Sequence, residues 1–446
     1  MPRPWRGFNA RVRRACALVQ DSPPPLDSTT TLGRPRRAAR LAFDLRAIWV
    51  DGLLWAVMIG MGEQSITPFA VALGLPDAWA GLVATVPMVI GATLQLVSPA
   101  WIRRLGSHRR WVVWNAAIQA ASFVPLAIAA LVGSIPGWLL YAVAAVYWGA
   151  GIATNPAWST WVGTLVPGPV RIRYFARRTV WIHVLQIGAL LAAGWILFVG
   201  EGWDRPLAAF AIVFGFAFVA RALSAACLAK HSEPEPMPGG MRDVPLAKLV
   251  ARFRHGVDGR LLAYMLAVQF AANVAAPFYM PYMLRELEFG YAQSMGLLAA
   301  AVLAKALSLP LHGRIAEKRG VRALMWIGGL GLAPSVGAWI FLDDYAWLLV
   351  AQLFTGFVWS AYELATFLSF FAWIRPEERT SILTKYQFAN AVAICVGSLL
   401  GGAILAGLGG DAAAFLAVLA LSTVLRLATV FLLARAASSA AIAHRA

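Results

Sequence analysis

Residues 179–200 read TVWIHVLQIGALLAAGWILFVG, the next five read EGWDR, and 206–229 read PLAAFAIVFGFAFVARALSAACLA. Each long run, taken as α-helix, covers roughly 30 Å, the thickness of a bilayer's hydrocarbon core. Backbone N–H and C=O groups find no water in lipid, so a run of this kind is helix rather than strand. The five-residue break holds a turn and nothing more. The stretch therefore reads as two membrane-crossing helices joined at one surface, and most of the chain repeats that pattern.

Composition agrees. Of 446 residues, 60% are hydrophobic and only 13% charged, with a mean hydropathy of +0.67. A soluble domain is about 45–50% apolar and about a quarter charged. A water-soluble enzyme, a disordered chain and a secreted disulfide scaffold are excluded together. Cys16, Cys227 and Cys395 lie far apart and form no metal-ligand or disulfide spacing. The net charge of +17 would suggest nucleic acid in a soluble chain. In a membrane protein it asks instead on which side the cations lie.

Twelve apolar runs are expected to span: 47–74, 80–102, 111–132, 137–166, 179–200 and 206–229, then 262–284, 293–312, 322–341, 346–373, 387–408 and 412–434. The fold class is thus an all-α integral membrane protein of two six-helix repeats. Around the runs lie a basic tail (1–46), a polar linker (230–261) and a short C-terminal tail (436–446), leaving halves at 47–229 and 262–435. Of the 38 Lys and Arg, 33 fall in the tails and even-numbered loops, two (Arg205 and Arg285) in odd-numbered loops, and three inside spans. The odd loops hold eight acids, Asp77 and Glu201 among them. Cationic loops resist translocation, so both termini and the even loops are expected on the cytoplasmic side of a plasma (inner) membrane.

The halves look duplicated. Pro68-Phe69 in the first run matches Pro277-Phe278 in the seventh, an offset of 209, and Pro167 before Arg171 matches Pro376 before Arg379 at the same offset. Gly106 in the loop after the second run matches Gly320 in the loop after the eighth. A six-plus-six transporter with its site between the halves follows from such a repeat.

With these loops the sequence resembles the major facilitator superfamily, whose pattern there is Gly-x-x-x-Asp-Arg/Lys-x-Gly-x-Arg-Arg/Lys. The second copy carries Gly313, Glu317, Gly320 and Arg322, with Glu317 in place of the aspartate. The first keeps Arg104, Gly106, Arg109 and Arg110, but Pro99 replaces the leading glycine and Arg103 the acid. The resemblance implies a charge cluster that closes the cytoplasmic end when the other end is open, and a substrate path lined by the first, fourth, seventh and tenth helices. A tight loop also needs positive φ, which glycine adopts without strain.

Ionisable groups at membrane depth are costly and mark function by default. Arg221, Lys305 and Arg426 lie only about 10–12 Å from the basic ends of their helices, within reach of snorkelling stems. Asp51 is expected at the interface, near Arg46. Glu63, about 24 Å into its helix, and Glu363, about 15 Å from its inner end, are too short to reach bulk water and need a cavity. The candidate substrate and proton site is therefore Glu63 with Gln64, Asn155, Trp158, Gln269, Asn273, Trp359, Tyr362 and Glu363. His183, Gln186, Gln95 and Asn390 add possible donors. Aromatics, amides and one or two carboxylates suit a small amphipathic organic solute. Gly397-x-x-x-Gly401 and Gly149-x-Gly151 read as close helix packing.

No phosphate-cradling loop, zinc-protease or serine-hydrolase motif occurs in the sequence, so neither ATP-driven transport nor an enzyme is expected, and no cofactor. The expected function is a secondary transporter of a small organic solute, coupled to H+ through Glu63 or Glu363, with export favoured slightly over import. The alternative is a non-transporting membrane scaffold or assembly factor on the same fold. Its mark would be both carboxylates packed between helices with ion-pair partners. The expected partners are the solute, H+ and the lipid bilayer, and no nucleic acid.

Overall fold

The computed structural model describes residues 34–166, 168–202, 204–233, 257–373 and 376–443. Helix occupies all twelve expected runs, and no strand occurs among the described residues. Nine helical stretches of the described chain are long and apolar enough to cross a membrane. One of these, Tyr291–Phe341, contains two spans: its backbone leaves the helical region at Gly320 (φ 78°, ψ 167°). Gly106 ends the second span in the left-handed region, φ 63°. Both loop glycines thus stand where the chain needs positive φ.

The first span is interrupted. Helix Arg34–Met61 gives way to a 3-10 turn, Glu63–Ser65, before helix Ile66–Ala72 resumes. Pro68 has no N–H to return to the turn below it, so the helix cannot run through. The seventh span breaks in the same way, from Val257–Asn273 through a 3-10 turn at Ala276–Phe278 that contains Pro277. The duplicated Pro-Phe pair thus marks equivalent breaks in the two halves.

Three cores hold the bundle. One joins both halves at the acidic-loop end, packing Phe69, Leu82 and Phe214 of the first half with Phe278, Met295 and Leu405 of the second. The other two are private to one half and lie toward the basic-loop end: Ile48, Trp111 and Trp161 in the first half, Tyr264, Leu324 and Tyr362 in the second. Among the described residues, the apolar core shared by the two halves lies at the acidic-loop end.

Spans approach closely where glycine allows it. A side chain at Gly397 or Gly401 of the eleventh span would strike the carbonyls of Phe270 and Val274 in the seventh. Gly91 of the second span meets the backbone of Trp148 and Gly149 in the fourth.

Several boundaries differ from expectation. The first helix begins at Arg34 rather than 47, and the last continues to Ala443, because basic ends can leave the bilayer and remain helical. Of the expected linker, Lys230–Glu233 is packed onto the first half and the seventh span starts at Val257; 234–256 lie outside the described residues, as do 1–33 of the tail and 444–446.

Candidate functional site

Glu63 sits at the break in the first span, immediately after Gly62, where any side chain would strike the ring of Phe123. The phenol of Tyr147, fully buried on the fourth span, donates to Glu63 Oε2 at 2.5 Å and lies 3.2 Å from Met58 Sδ. Glu63 is partly buried and forms no ion pair in the described structure.

From Tyr147 a buried polar chain runs toward the basic-loop end. The Gln119 amide interacts with the Tyr147 hydroxyl, and its Oε1 accepts from Arg221 Nε at 2.8 Å. Arg221 Nη1 donates to Ser224 Oγ at 2.9 Å, and Ser224 donates to Asp51 Oδ1 at 2.7 Å. Asp51 Oδ2 faces Arg178 Nη2 at 3.6 Å, and Arg178 also lies over the Trp158 ring, 4.9 Å from its centroid. Two guanidinium groups and two carboxylates are thereby joined through neutral side chains, leaving the chain balanced in charge.

This corrects the expectation for the cations. Arg221 and Arg426 do not snorkel: they are 3% and 2% exposed and bond inward. Arg426 spends its guanidinium on the carbonyls of Leu332 and Ala272. Asp51 is buried with Ser224 and Arg178 rather than lying at the surface beside Arg46.

On the second half, Lys305 of the eighth span reaches Glu363 Oε1 of the tenth at 2.7 Å. The side chains remain 27% and 51% exposed. His183, on the fifth span of the first half, feels both charges. Lys305, read from sequence as a snorkelling cation, is thus the partner of the carboxylate beside it.

The other expected site residues divide. Gln64, Gln269, Asn273 and Trp359 are partly exposed, and Asn155 is exposed. Asn273 turns its amide back to the Gln269 carbonyl, 2.8 Å. Trp158 is taken up by packing, edge-on to Phe175 and beneath Arg178. Tyr362 is a core residue whose hydroxyl donates to the Met265 carbonyl at 3.2 Å, with Trp359 edge-on against it. Trp158 and Tyr362 thus each have protein partners in this structure. Tyr147, Gln119 and Lys305 do join the carboxylates. Their signal in the sequence was only a polar group on an apolar run, at a spacing that does not reveal which face it occupies.

At the basic-loop end, Arg104 is exposed and lies 5.5 Å from the Trp101 ring centroid, while Gly313, Glu317 and Arg322 flank the turn at Gly320 on exposed or partly exposed chain. The first loop has an acid after all, from the linker. Glu233 accepts from Ser107 Oγ at 2.5 Å and from the Arg109 N–H at 3.0 Å, while Ser107 Oγ caps Arg110 N at 3.1 Å. A carboxylate at a helix N-terminus is electrostatically favoured. Arg109 Nη1 also holds the His231 carbonyl at 3.1 Å. Burial pushes the His231 imidazole below its usual 6.5, against the pull of Asp51 and Asp44.

At the acidic-loop end the halves are bridged. Arg285 Nη1 meets Asp77 Oδ1 at 2.8 Å, and Arg285 Nη2 donates to the Leu75 carbonyl at 2.7 Å.

Repeated helical halves with breaks in the first and seventh spans are an architecture found among secondary transporters. Residues 261–445 match the family described as Major Facilitator Superfamily. Solved structures agree. A variant of the nucleoside transporter NupG superposes with a TM-score of 0.69 at 12% identity, covering 87% of this chain and 99% of its own. A bacterial homolog of the human lysosomal transporter Spinster, inward-facing and unoccupied, gives 0.62 at 16% over 93% and 98%. The D-xylose-proton symporter gives 0.65 at 15% over 88% and 97%. At these identities the likeness is one of fold. No curated protein matches the sequence.

Proposed function

We propose that the protein is a secondary active transporter that carries a small organic solute by alternating access, coupled to H+ through Glu63, with export the favoured direction. The observation that carries this reading is Glu63 itself. It is a carboxylate at membrane depth, set in a helix break and held by the Tyr147 hydroxyl with no cation directly upon it. Such a group can accept and release a proton without breaking an ion pair, whereas Glu363 starts out engaged by Lys305.

In this reading the membrane is the plasma (inner) membrane and the basic-loop end, with both termini, is cytoplasmic. The core that the halves share at the acidic-loop end then supports a conformation closed outside. Proton coupling occurs on this fold in the D-xylose-proton symporter. A non-transporting scaffold would call for both carboxylates to be paired and packed; Glu63 has no ion-pair partner in the described structure, and Glu363 is half exposed.

Reconstituted protein in liposomes tests the reading. Solute flux should follow an imposed pH gradient in the wild type and lose that dependence in Glu63→Gln. Flux indifferent to the gradient in the wild type would remove the proton coupling.

A further inference from the structure

The Lys305–Glu363 pair differs from the other ion pairs in its surroundings. Arg178 and Asp51 are packed away, 10% and 5% exposed, and Arg285–Asp77 closes the acidic-loop end. Lys305 and Glu363 lie within spans yet keep 27% and 51% of their side-chain surface open. His183 of the fifth span is near enough to feel both charges, and the fifth and eighth spans pack directly, Gly194 against Met295. The His183 Nδ1 is buried without a hydrogen-bond partner, with the Gln186 amide beside the ring. The space at the pair is therefore bordered by a cation and an anion, with the His183 imidazole of the opposite half close enough to act on both.

Charge conservation restricts what such a space accepts. A half-exposed ion pair stabilises a fold little, yet each of its charges is costly at membrane depth. A solute of single charge would draw one member away and leave the other without its counter-charge at membrane depth, where an unpaired charge is costly. A solute carrying both signs satisfies both members and leaves the site neutral. Closing the halves over it would bring His183 onto the same solute as a third polar contact.

We propose that Lys305 and Glu363 form a recognition site for a small zwitterion, its ammonium on Glu363 and its carboxylate on Lys305. The proposal rests on the transporter reading above and names its substrate class.

The test uses full-length protein in lipid nanodiscs and four matched probes: L-phenylalanine, phenethylamine, 3-phenylpropionate and phenethyl alcohol, with equivalent sets for leucine and alanine. Thermal unfolding reports binding, and proteoliposome uptake reports transport. In the wild type the amino acid should raise Tm with a half-maximal concentration at least tenfold below its amine or acid. Glu363→Gln should turn that preference to the acid, and Lys305→Gln to the amine. The exchanged pair, Lys305→Glu with Glu363→Lys, should keep the zwitterion preference and guards against simple misfolding. Equal response to a neutral or singly charged probe overturns the proposal, as does no response from any amino acid, or an unchanged preference in both single variants. A neutral or singly charged probe that binds and is taken up removes the zwitterion site and leaves transport standing. Uptake of no solute at all by folded protein removes both.

Discussion

The hydroxyl of Tyr147 donates a 2.5 Å hydrogen bond to the carboxylate of Glu63, tying the fourth span to the break in the first. Hydrogen bonds to ionised groups are worth about 1.5–3 kcal/mol. Tyr147→Phe keeps the ring and its edge-on packing with Phe123 but removes the donor. Transport in Tyr147→Phe should fall roughly tenfold or more, since about 1.4 kcal/mol is a factor of ten, while its dependence on the pH gradient persists. An unchanged rate in proteoliposomes would show that this bond does not position Glu63.

The Asp51 cluster supports that carboxylate from below. Asp51 lies against Arg178 and accepts from Ser224, which Arg221 holds in turn. Removing one member of a buried pair costs about 3–5 kcal/mol, because a charge is stranded. Asp51→Asn should therefore lower the thermal unfolding temperature markedly, as should Arg178→Met. Combining the two should cost clearly less than the sum, which unfolding of all four proteins in one detergent measures.

Gly401 of the eleventh span lies on the Val274 carbonyl of the seventh, just past the point where that helix ends at Asn273. The obstacle is backbone, which cannot rotate away. Gly401→Ala should destabilise the second half by about 1–3 kcal/mol, the range for overpacking. Gly313→Ala serves as control, since a side chain there meets open space. Equal unfolding temperatures for the two variants would contradict this packing.

These contacts mark how far the sequence could be read. The apolar runs yielded the spans, because length and hydropathy suffice for a helix in lipid. Pro68 and Pro277 were legible only as landmarks of the duplication; the breaks beside them at Glu63–Ser65 and Ala276–Phe278 were not, since Pro310 and Pro334 stand within helix that runs on. Gly397 and Gly401 were readable as packing. Arg221 was not. Its depth is linear information, but whether it reaches the surface or turns inward depends on the face it shares with Ser224 and on Gln119, 102 residues away. The protein partners of Trp158 and Tyr362 were equally out of reach. The chemistry of the two aromatics suited a solute, while Arg178 and the Met265 carbonyl had already engaged them.

Arg285 and Asp77 make the ion pair that crosses the halves at the acidic-loop end, reinforced by the Leu75 carbonyl. A partly exposed pair contributes at most about 1 kcal/mol, roughly a fivefold bias toward closure. Burial pushes the Asp77 carboxyl above its usual range, outweighing the pull of Arg285. Arg285→Gln should therefore shift the population toward opening at this end. Spin labels on Asp204 and Asp343 loop positions changed to cysteine would report a larger long-distance fraction, and no change would sink the latch.

His231 begins the linker, with its ring on Trp161 and its carbonyl on Arg109, while Ser232 N–H donates to Asp44 and Glu233 caps the third span. Burial lowers its pKa when docked, whereas a released imidazole titrates near 6.5. The sign follows from that difference. Above 6.5 both forms are neutral and docking is at full strength. As pH falls through 6.5 the released form gains its proton first, so docking weakens by up to about 1.4 kcal/mol per pH unit until the docked value is reached. The linker start should thus loosen on acidification while the spans stay folded. Hydrogen exchange at residues 229–233, corrected for intrinsic rates, should lose protection between pH 7.5 and 5 in the wild type and not in His231→Gln. Equal loss in both proteins would show that the change does not come from His231. Protection that stays constant in the wild type would mean that the imidazole accepts its proton without leaving Trp161.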